Sequence, residues 1–161
     1  MENNTINLTK KAVGDSRLRI SDDGQHVTNG HWAIKKSLLK QAALLTTVEA
    51  AQALFPRAVV ESMSADMMKL VVPNHSDPVT YDKTHWIQCT DYQEAVLFVG
   101  GDDGDSQMWI SRRYVDMFKL EAFVSQAAPG KVGRDPGLVG ERDDWNLIIM
   151  PLLMDYQPGL R

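Results

Sequence analysis

DDGQHVTNGHWAIKKSL at residues 22–38 and DDGDSQMWISRRYV at residues 102–115 carry the same order of residue types. Each stretch begins with Asp-Asp-Gly and reaches, a few residues later, the pattern Trp-x-x-basic-basic-x-apolar. From each tryptophan onward the two stretches align without a gap. The repetition predicts an internally duplicated domain, with pseudo-repeats at about residues 17–72 and 85–124.

Each repeat predicts a strand-turn-strand-helix unit. Asp-Gly is a favourable hairpin turn because glycine tolerates positive φ. We expect the tryptophan of each unit to pack beneath the first turn of the following helix, while the paired basic residues stay in solvent. Two such units would place their strands in one antiparallel sheet and both helices on one of its faces. The alternative is a chance repeat, since short acidic turns and basic pairs are common.

Hydrophobic periodicity extends the first unit along the chain. Residues 17–34 predict a hairpin, because Leu18 and Ile20 alternate with polar residues before the turn at residues 22–24. Asn-Gly interrupts the second strand, at residues 27–34, and predicts a bulge or a second turn there. Helical spacing over residues 37–55 predicts the longest helix, with a proline just beyond it. Two strands are predicted at residues 59–63 and 67–72, and the Met-rich stretch between them fits either a strand or a helix.

The second half predicts further short strands and one helix. Its predicted elements are a loop (75–84), strands (85–89, 95–99 and 108–110) and a helix (112–123). The glycines and prolines of residues 127–144 predict a flexible connection. Apolar residues 145–153 predict a terminal strand, and Pro151 predicts that its far end lies on a sheet edge.

Composition limits the architecture and the compartment. The chain has 161 residues, of which 43% are hydrophobic, so one domain spanning residues 1–161 can bury a core. The predicted class is α/β of the α+β type. Cys89 is the one cysteine, so no intrachain disulfide can form and a cytoplasmic location is expected. We see no secretory signal pattern and no apolar run long enough for a bilayer, which predicts no membrane partner.

Three segments resemble the DNA polymerase sliding clamps. Residues 27–31, VTNGH, are similar to the Ala-Thr-Asp-Gly-His end of a clamp strand. Residues 111–118, SRRYVDMF, are similar to the start of a clamp helix, and residues 147–152, LIIMPL, to the Val-Val-Met-Pro-Met tail of bacterial clamps. These segments cover a minority of the chain. The resemblance implies a clamp-like domain, and because a bacterial clamp subunit contains three such domains, a ring would require a homo-oligomer of many copies.

In sliding clamps, helices present Lys and Arg to the phosphates of double-stranded DNA without reading its sequence. By position, the resemblance implies as DNA-binding candidates Lys35, Lys36, Lys40, Arg112, Arg113 and Lys119. A net charge of −4 argues against a surface that coats nucleic acid as a whole. We favour the alternative that these residues form ordinary solvated helix faces.

The Met-Pro tail of clamps helps to line a hydrophobic groove that receives short linear motifs of polymerases and repair proteins. The resemblance therefore implies partner-binding candidates at Met150, Pro151, Leu152 and Leu153. The alternative is a buried terminal strand that completes the core.

We find no constellation of residues that predicts catalysis. His85 and Cys89 supply at most one pair of zinc ligands, and no second pair completes a site. Neither a serine or cysteine nucleophile signature nor a phosphate-binding loop is present. The acidic pairs of the two Asp-Asp-Gly turns favour local hydrogen bonding over acid-base catalysis or Mg²⁺ binding. We expect no enzymatic activity, no cofactor and no metal.

These observations predict a non-catalytic, clamp-like binding protein that engages replication or host-defence proteins and makes, at most, weak sequence-independent contact with DNA. The small size favours a phage-encoded protein acting in the host cytoplasm. The alternative is an anti-CRISPR-like or DNA-mimic inhibitor that masks a nucleic-acid enzyme, with aspartates in place of phosphates. The aspartates concerned are Asp22, Asp23, Asp102, Asp103 and Asp105.

Overall fold

A computed structural model describes residues 4–13, 16–73, 77–89, 93–101, 104, 106–126 and 136–152. The strands are β1 (Arg17–Ser21), β2 (His26–Thr28), β3 (Trp32–Lys35), β4 (Val59–Met63), β5 (Pro78–Cys89), β6 (Glu94–Gly100), β7 (Ser106–Ser111), β8 (Ala122–Gln126), β9 (Gly137–Gly140) and β10 (Trp145–Ile149). The helices are α1 (Lys10–Val13), α2 (Val48–Leu54), α3 (Ala65–Lys69) and α4 (Arg112–Phe118), and Lys36–Leu38 and Ala42–Leu45 form 3₁₀ turns.

The described strands form one mixed sheet in the order β4-β1-β2-β3-β10-β9-β8-β5-β6-β7. Neighbouring strands run antiparallel, except that β1 and β4 run parallel. Beyond β10, the Leu152 N–H donates to the Trp109 carbonyl at 2.7 Å, so the chain leaving β10 meets β7. A mixed α and β fold built mainly of antiparallel strands confirms the predicted class.

Apolar side chains line both faces of the sheet. Alternation along the strands directs Leu18, Ile20, Val27, Leu147 and Ile149 into the main core, which also contains residues of α1, α2 and α4. A second cluster consists of Ala33, Leu138, Trp145 and Ile148 with Met68 of α3. Helix α3 therefore covers the face that α2 and α4 do not.

Trp32 and Trp109 lie in different surroundings. Trp32 belongs to the main core, where its ring centroid lies 5.2 Å from that of Phe118 in an edge-on arrangement. Trp109 packs with Ala95 and Leu97 in a separate cluster that Leu152 borders. The prediction that each tryptophan packs beneath the helix that follows it is wrong for Trp109, because its cluster contains no residue of α4. Trp32 shares the main core with Leu38 of the segment that follows it and with Phe118 of α4. Both segments consist of a hairpin followed by a helical turn, but internal duplication is not confirmed.

The predicted long helix at residues 37–55 is wrong over its first half. Residues 4–6 lie beside it, and their backbone bonds to this segment include Ile6 N–H to Leu38 O and Lys40 N–H to Ile6 O. These bonds use backbone groups that a continuous helix would need for its own ladder. Helix α2 begins only after Thr47, whose side chain accepts from the Ala50 N–H at 3.1 Å.

The predicted helix at residues 112–123 ends earlier, at Phe118. Lys119 has a left-handed backbone with φ of 53°, and its N–H donates to Asp116 O while the Leu120 N–H donates to Val115 O. These two bonds form a Schellman motif, which satisfies the last carbonyls of the helix. The chain then turns directly into β8.

Four other boundaries differ from the predictions. Residues 67–72, predicted as a strand, contain the end of α3 and a turn, and the predicted loop at 75–84 becomes β5 from Pro78 onward. Strand β9 lies inside the predicted connection at 127–144, of which residues 127–135 are outside the described residues. Terminal strand β10 is confirmed but ends at Ile149, between β3 and β9. Past it, Leu152 pairs with Trp109 of β7, the last strand of the order, so the far end of the segment meets a sheet edge as Pro151 predicts.

Candidate functional site

A groove of about 620 Å³ opens on the face of the sheet that α3 partly covers. Alternation along β1 creates one side of this groove, because Leu18 and Ile20 enter the core while Arg17 and Arg19 point to the opposite face. The volume lies within the range of about 300–1,000 Å³ that is usual for ligand pockets.

The hydrogen bonds of the β2–β3 turn fix the floor of the groove. The Asn29 carboxamide oxygen accepts from the backbone N–H groups of His31 at 2.9 Å and Trp32 at 3.2 Å. The Thr28 hydroxyl donates to Trp32 O at 2.5 Å and accepts from the Gly30 N–H at 3.1 Å. Gly30 has φ of +95°, which glycine adopts readily, so the predicted second turn at Asn-Gly is confirmed. Hydrogen bonds within the turn itself therefore hold the floor in this conformation.

Helix α3 and the segment after it form the opposite wall. The Asp22 carboxylate, from the β1–β2 turn, accepts from the Ala65 N–H at 3.0 Å and so caps α3 from another part of the chain. Met68 is buried against the sheet, whereas Leu70 is 77% exposed at the groove. The wall is thus anchored at one point and offers apolar surface beside it.

The far end of the groove lies where β10 ends. Ile148, Met150 and Pro136 line it, and the Met150 N–H donates to His31 O at 2.9 Å. Met150 is 40% exposed, so a large apolar side chain is open to solvent at this end. The groove therefore has an apolar end at β10 and a basic rim at β1.

The rim carries two cations and one anion. Arg17 Nη1 and Arg19 Nε lie 3.9 and 3.6 Å from the same Glu61 carboxylate oxygen, Oε2. Both distances exceed a hydrogen bond, so the pairing is electrostatic and leaves the guanidinium donors unused. One positive charge remains uncompensated among these three side chains.

His26 extends the same face beyond the groove. Its ring stacks on that of Trp145 with 4.1 Å between centroids, and the resulting burial lowers the pKa of His26. The nearby Lys35 ammonium bonds to Asp144, which lowers the pKa of that carboxyl. These groups form a local polar network on the margin of the second apolar cluster.

The predicted partner-binding residues are not kept together. Met150 lines the groove, as the clamp resemblance implies for a Met-Pro tail. Leu152 is directed away from it to the Trp109 cluster, and Pro151 is half-buried between them. Leu153 lies outside the described residues. The partner-binding site that the clamp resemblance implies is therefore divided between the groove and the Trp109 cluster.

The first three predicted DNA-binding residues do not share a helix. Lys35 ends β3 and is ion-paired with Asp144, Lys36 begins a 3₁₀ turn, and Lys40 is exposed beyond that turn. The prediction of a basic helix face is wrong for these three residues, because backbone groups of this segment bond to residues 4–6 and no continuous helix forms.

The other three lie on or next to α4. Arg112 Nη1 lies 2.6 Å from a Glu94 carboxylate oxygen, and this bond raises the pKa of Arg112. Arg113 lies over the Tyr114 ring at 5.7 Å, and Lys119 ends the helix. Contact of these side chains with DNA stays a prediction.

In the first acidic turn, one aspartate bonds locally and the other bonds to a distant segment. The Asp23 carboxylate accepts from the Ser21 hydroxyl at 2.6 Å and the Gln25 N–H at 3.0 Å, and these bonds lower the pKa of Asp23. With Asp22 capping α3, both aspartates of the first turn have structural partners. Asp102, Asp103 and Asp105 lie outside the described residues.

Most residues of the groove have no sequence pattern that marks them as a binding site. In the sequence, Arg17 and Arg19 form only the polar half of an alternating strand. Met68 and Leu70 lie in or next to a stretch that fits either a strand or a helix. The available signal was the apolar run at residues 70–73, which is too short to form a core of its own.

In the described part of the chain, no three His, Cys, Asp or Glu side chains are grouped so that they could hold a metal ion. No helix there combines the length and the hydropathy needed to cross a bilayer. Comparison of the chain with protein-family models, curated proteins and solved structures gave no match.

Proposed function

We propose that this chain is a non-catalytic binding protein whose groove receives an extended, apolar segment of a protein partner. The observation that carries the proposal is a concave site with a hydrogen-bonded floor in which large apolar side chains such as Leu70 and Met150 stay exposed. Full burial of such a side chain contributes about 1.5–3 kcal/mol, so a bound apolar segment would gain affinity from both.

The shape of the site supports a segment over a whole domain as occupant. On one side of the groove, α3 packs on the sheet through Met68, and the volume of the groove suits a few side chains. The sliding-clamp resemblance supplies the proposed class of partner, a replication or host-defence protein, and Met150 is the residue that the two arguments share.

Surface variants of the groove test this function. We expect the double variant Leu70→Ser with Met150→Ser to lose a partner that the wild-type chain captures from a bacterial lysate. The matched control is Met67→Ser, because Met67 is 54% exposed on α3 but does not line the groove. Folding of each variant is checked by circular dichroism, and since the substituted side chains are exposed, their melting curves should stay close to wild type.

The bound segment is then located by synthesising overlapping peptides of the captured protein. A peptide that binds the wild-type chain and the control, and binds the groove variant at least about tenfold more weakly, supports the proposal. Retention of the partner by the folded groove variant, or equal loss in the Met67→Ser control, would place binding elsewhere and overturn it.

A further inference from the structure

The basic rim of the groove can recognise a carboxylate. Arg17 and Arg19 occupy alternate positions of β1 on the groove face, with side chains 64% and 41% exposed. Neither guanidinium is within hydrogen-bond distance of Glu61 in its ion pair, so their planar forks remain available. A guanidinium binds a carboxylate through two parallel hydrogen bonds, which selects an acidic side chain over an amide.

The strand order gives the distance from this rim to the apolar end. Arg19 is on β1 and Ile148 on β10, and the intervening strands are β2 and β3. Neighbouring strands lie about 4.8 Å apart, so three steps separate the two side chains by roughly 14 Å. An extended chain advances about 3.4 Å per residue, and four residues therefore cover this distance.

A four-residue spacing also matches the side-chain alternation of an extended segment. Residues i, i+2 and i+4 of such a segment point to the same side. If residue i reaches the arginines, residue i+2 lies roughly 7 Å away, between Thr28 and Ala33, which are in register between Arg19 and Ile148. Residue i+4 reaches Ile148 and Met150, and Ala33, Ile148 and Met150 are apolar. One face of the segment can thus satisfy the rim and the floor together.

We propose that the groove selects partner segments with an aspartate or glutamate four residues from a large apolar residue, with a second apolar residue midway between them. The carboxylate binds Arg17 and Arg19, and the apolar pair covers Ala33, Ile148 and Met150. This specificity rests on the proposed function, because it names the chemistry of the segment that the same groove receives. In the sequence of the partner segment, the acidic residue can come before or after the large apolar residue.

Selection from a display library of random dodecapeptides tests the inference. Peptides retained by the wild-type chain are depleted on the Leu70→Ser, Met150→Ser variant, and the remainder is sequenced. We expect an acidic residue at a spacing of four from a large apolar residue, in one chain direction. Groove-dependent peptides without this spacing or without an acid would overturn the inference and leave the proposed function standing.

Single substitutions then measure the charge contact by fluorescence anisotropy. Changing the acid of a selected peptide to its amide, or Arg19→Gln in the protein, should each weaken binding about three- to tenfold at low salt, and the two changes together should cost little more than one. Glu61→Gln removes the competing carboxylate and should tighten binding of the acidic peptide. Equal affinities for acid and amide in folded variants would refute the contact.

Two further outcomes would overturn the inference together with the function on which it rests. If no peptide depends on the groove, both fail. If dodecanoate displaces selected peptides and binds more tightly than they do, the groove is a fatty-acid site and the proposed partner segment is wrong.

Discussion

The substitution Gly137→Ala distinguishes the observed fold from a flexible connection at residues 127–144. Gly137 is buried in β9, and a Cβ atom there would lie 2.5 Å from Cδ2 of Phe123 and 2.9 Å from its Cε2. Carbon atoms pack best at about 3.5–4.0 Å, so the ring would have to retreat by roughly 1 Å. It cannot do so freely, because it stacks on Tyr81 with 5.3 Å between centroids and lies 5.1 Å from Phe98.

We expect Gly137→Ala to lower the free energy of unfolding by about 1–3 kcal/mol, the usual cost of overpacking a core. For a chain of this length that corresponds to a drop of roughly 3–10 °C in melting temperature. A flexible connection gives the opposite sign, because replacing glycine in an unstrained loop raises stability by about 0.4–1 kcal/mol. The sign alone therefore decides between the two structures.

Urea unfolding followed by tryptophan fluorescence, together with thermal circular dichroism, measures the effect. The control is the same substitution in a Phe123→Leu background, where the smaller side chain leaves room for the new methyl group. There the cost of Gly137→Ala should fall by more than half, which a double-mutant cycle reports as coupling. Stability that is unchanged or raised by Gly137→Ala in the native background would refute the packing of β9 against Phe123.

Three further predictions concern local features of the fold. Lys119→Gly should raise the free energy of unfolding by about 0.5–1 kcal/mol, because the left-handed backbone that strains lysine does not strain glycine. This gain exceeds the extra chain entropy that glycine loses on folding. A lower urea midpoint would contradict the helix end that we describe. Thr47→Ala should lower that free energy by about 0.5–2 kcal/mol through loss of the bond to Ala50, and Thr47→Ser should retain most of it in the same urea titration. Burial lowers the pKa of His26 in the folded chain, so the unfolded chain binds the proton more tightly and stability should fall as pH decreases below about 6.5. His26→Gln should flatten this dependence in unfolding measurements between pH 5 and 8, and an unaltered slope would assign it to another group.

Much of the local geometry was predictable because it depends on neighbours in the chain. The Asp22-Asp23-Gly24 turn and the Asn29-Gly30 turn form as expected, with positive φ at both glycines. Side-chain hydrogen bonds within two or three residues stabilise them, as at Asp23 and Asn29. Alternation along β1 likewise separates apolar from basic side chains whatever the rest of the chain does.

The candidate site was less predictable because its parts come from distant segments. The resemblance to a clamp tail pointed to Met150, but the placement of Leu152 against Trp109 depends on how far the sheet curls. The opposite wall follows from α3, whose N-terminus is capped by Asp22, a residue 43 positions earlier. No short-range pattern encodes such a contact.

Local sequence is enough to predict the turns, the alternation that puts Arg17 and Arg19 on one face of β1, and the terminal strand. Contacts between distant segments set two other features, the 3₁₀ turns beside residues 4–6 and the pairing of β10 with β3 through Ile148 and Ala33. The difference is one of range, because turns and alternation follow from covalent geometry within a few residues. Strand pairing and helix survival depend on which distant backbone groups compete for the same hydrogen bonds.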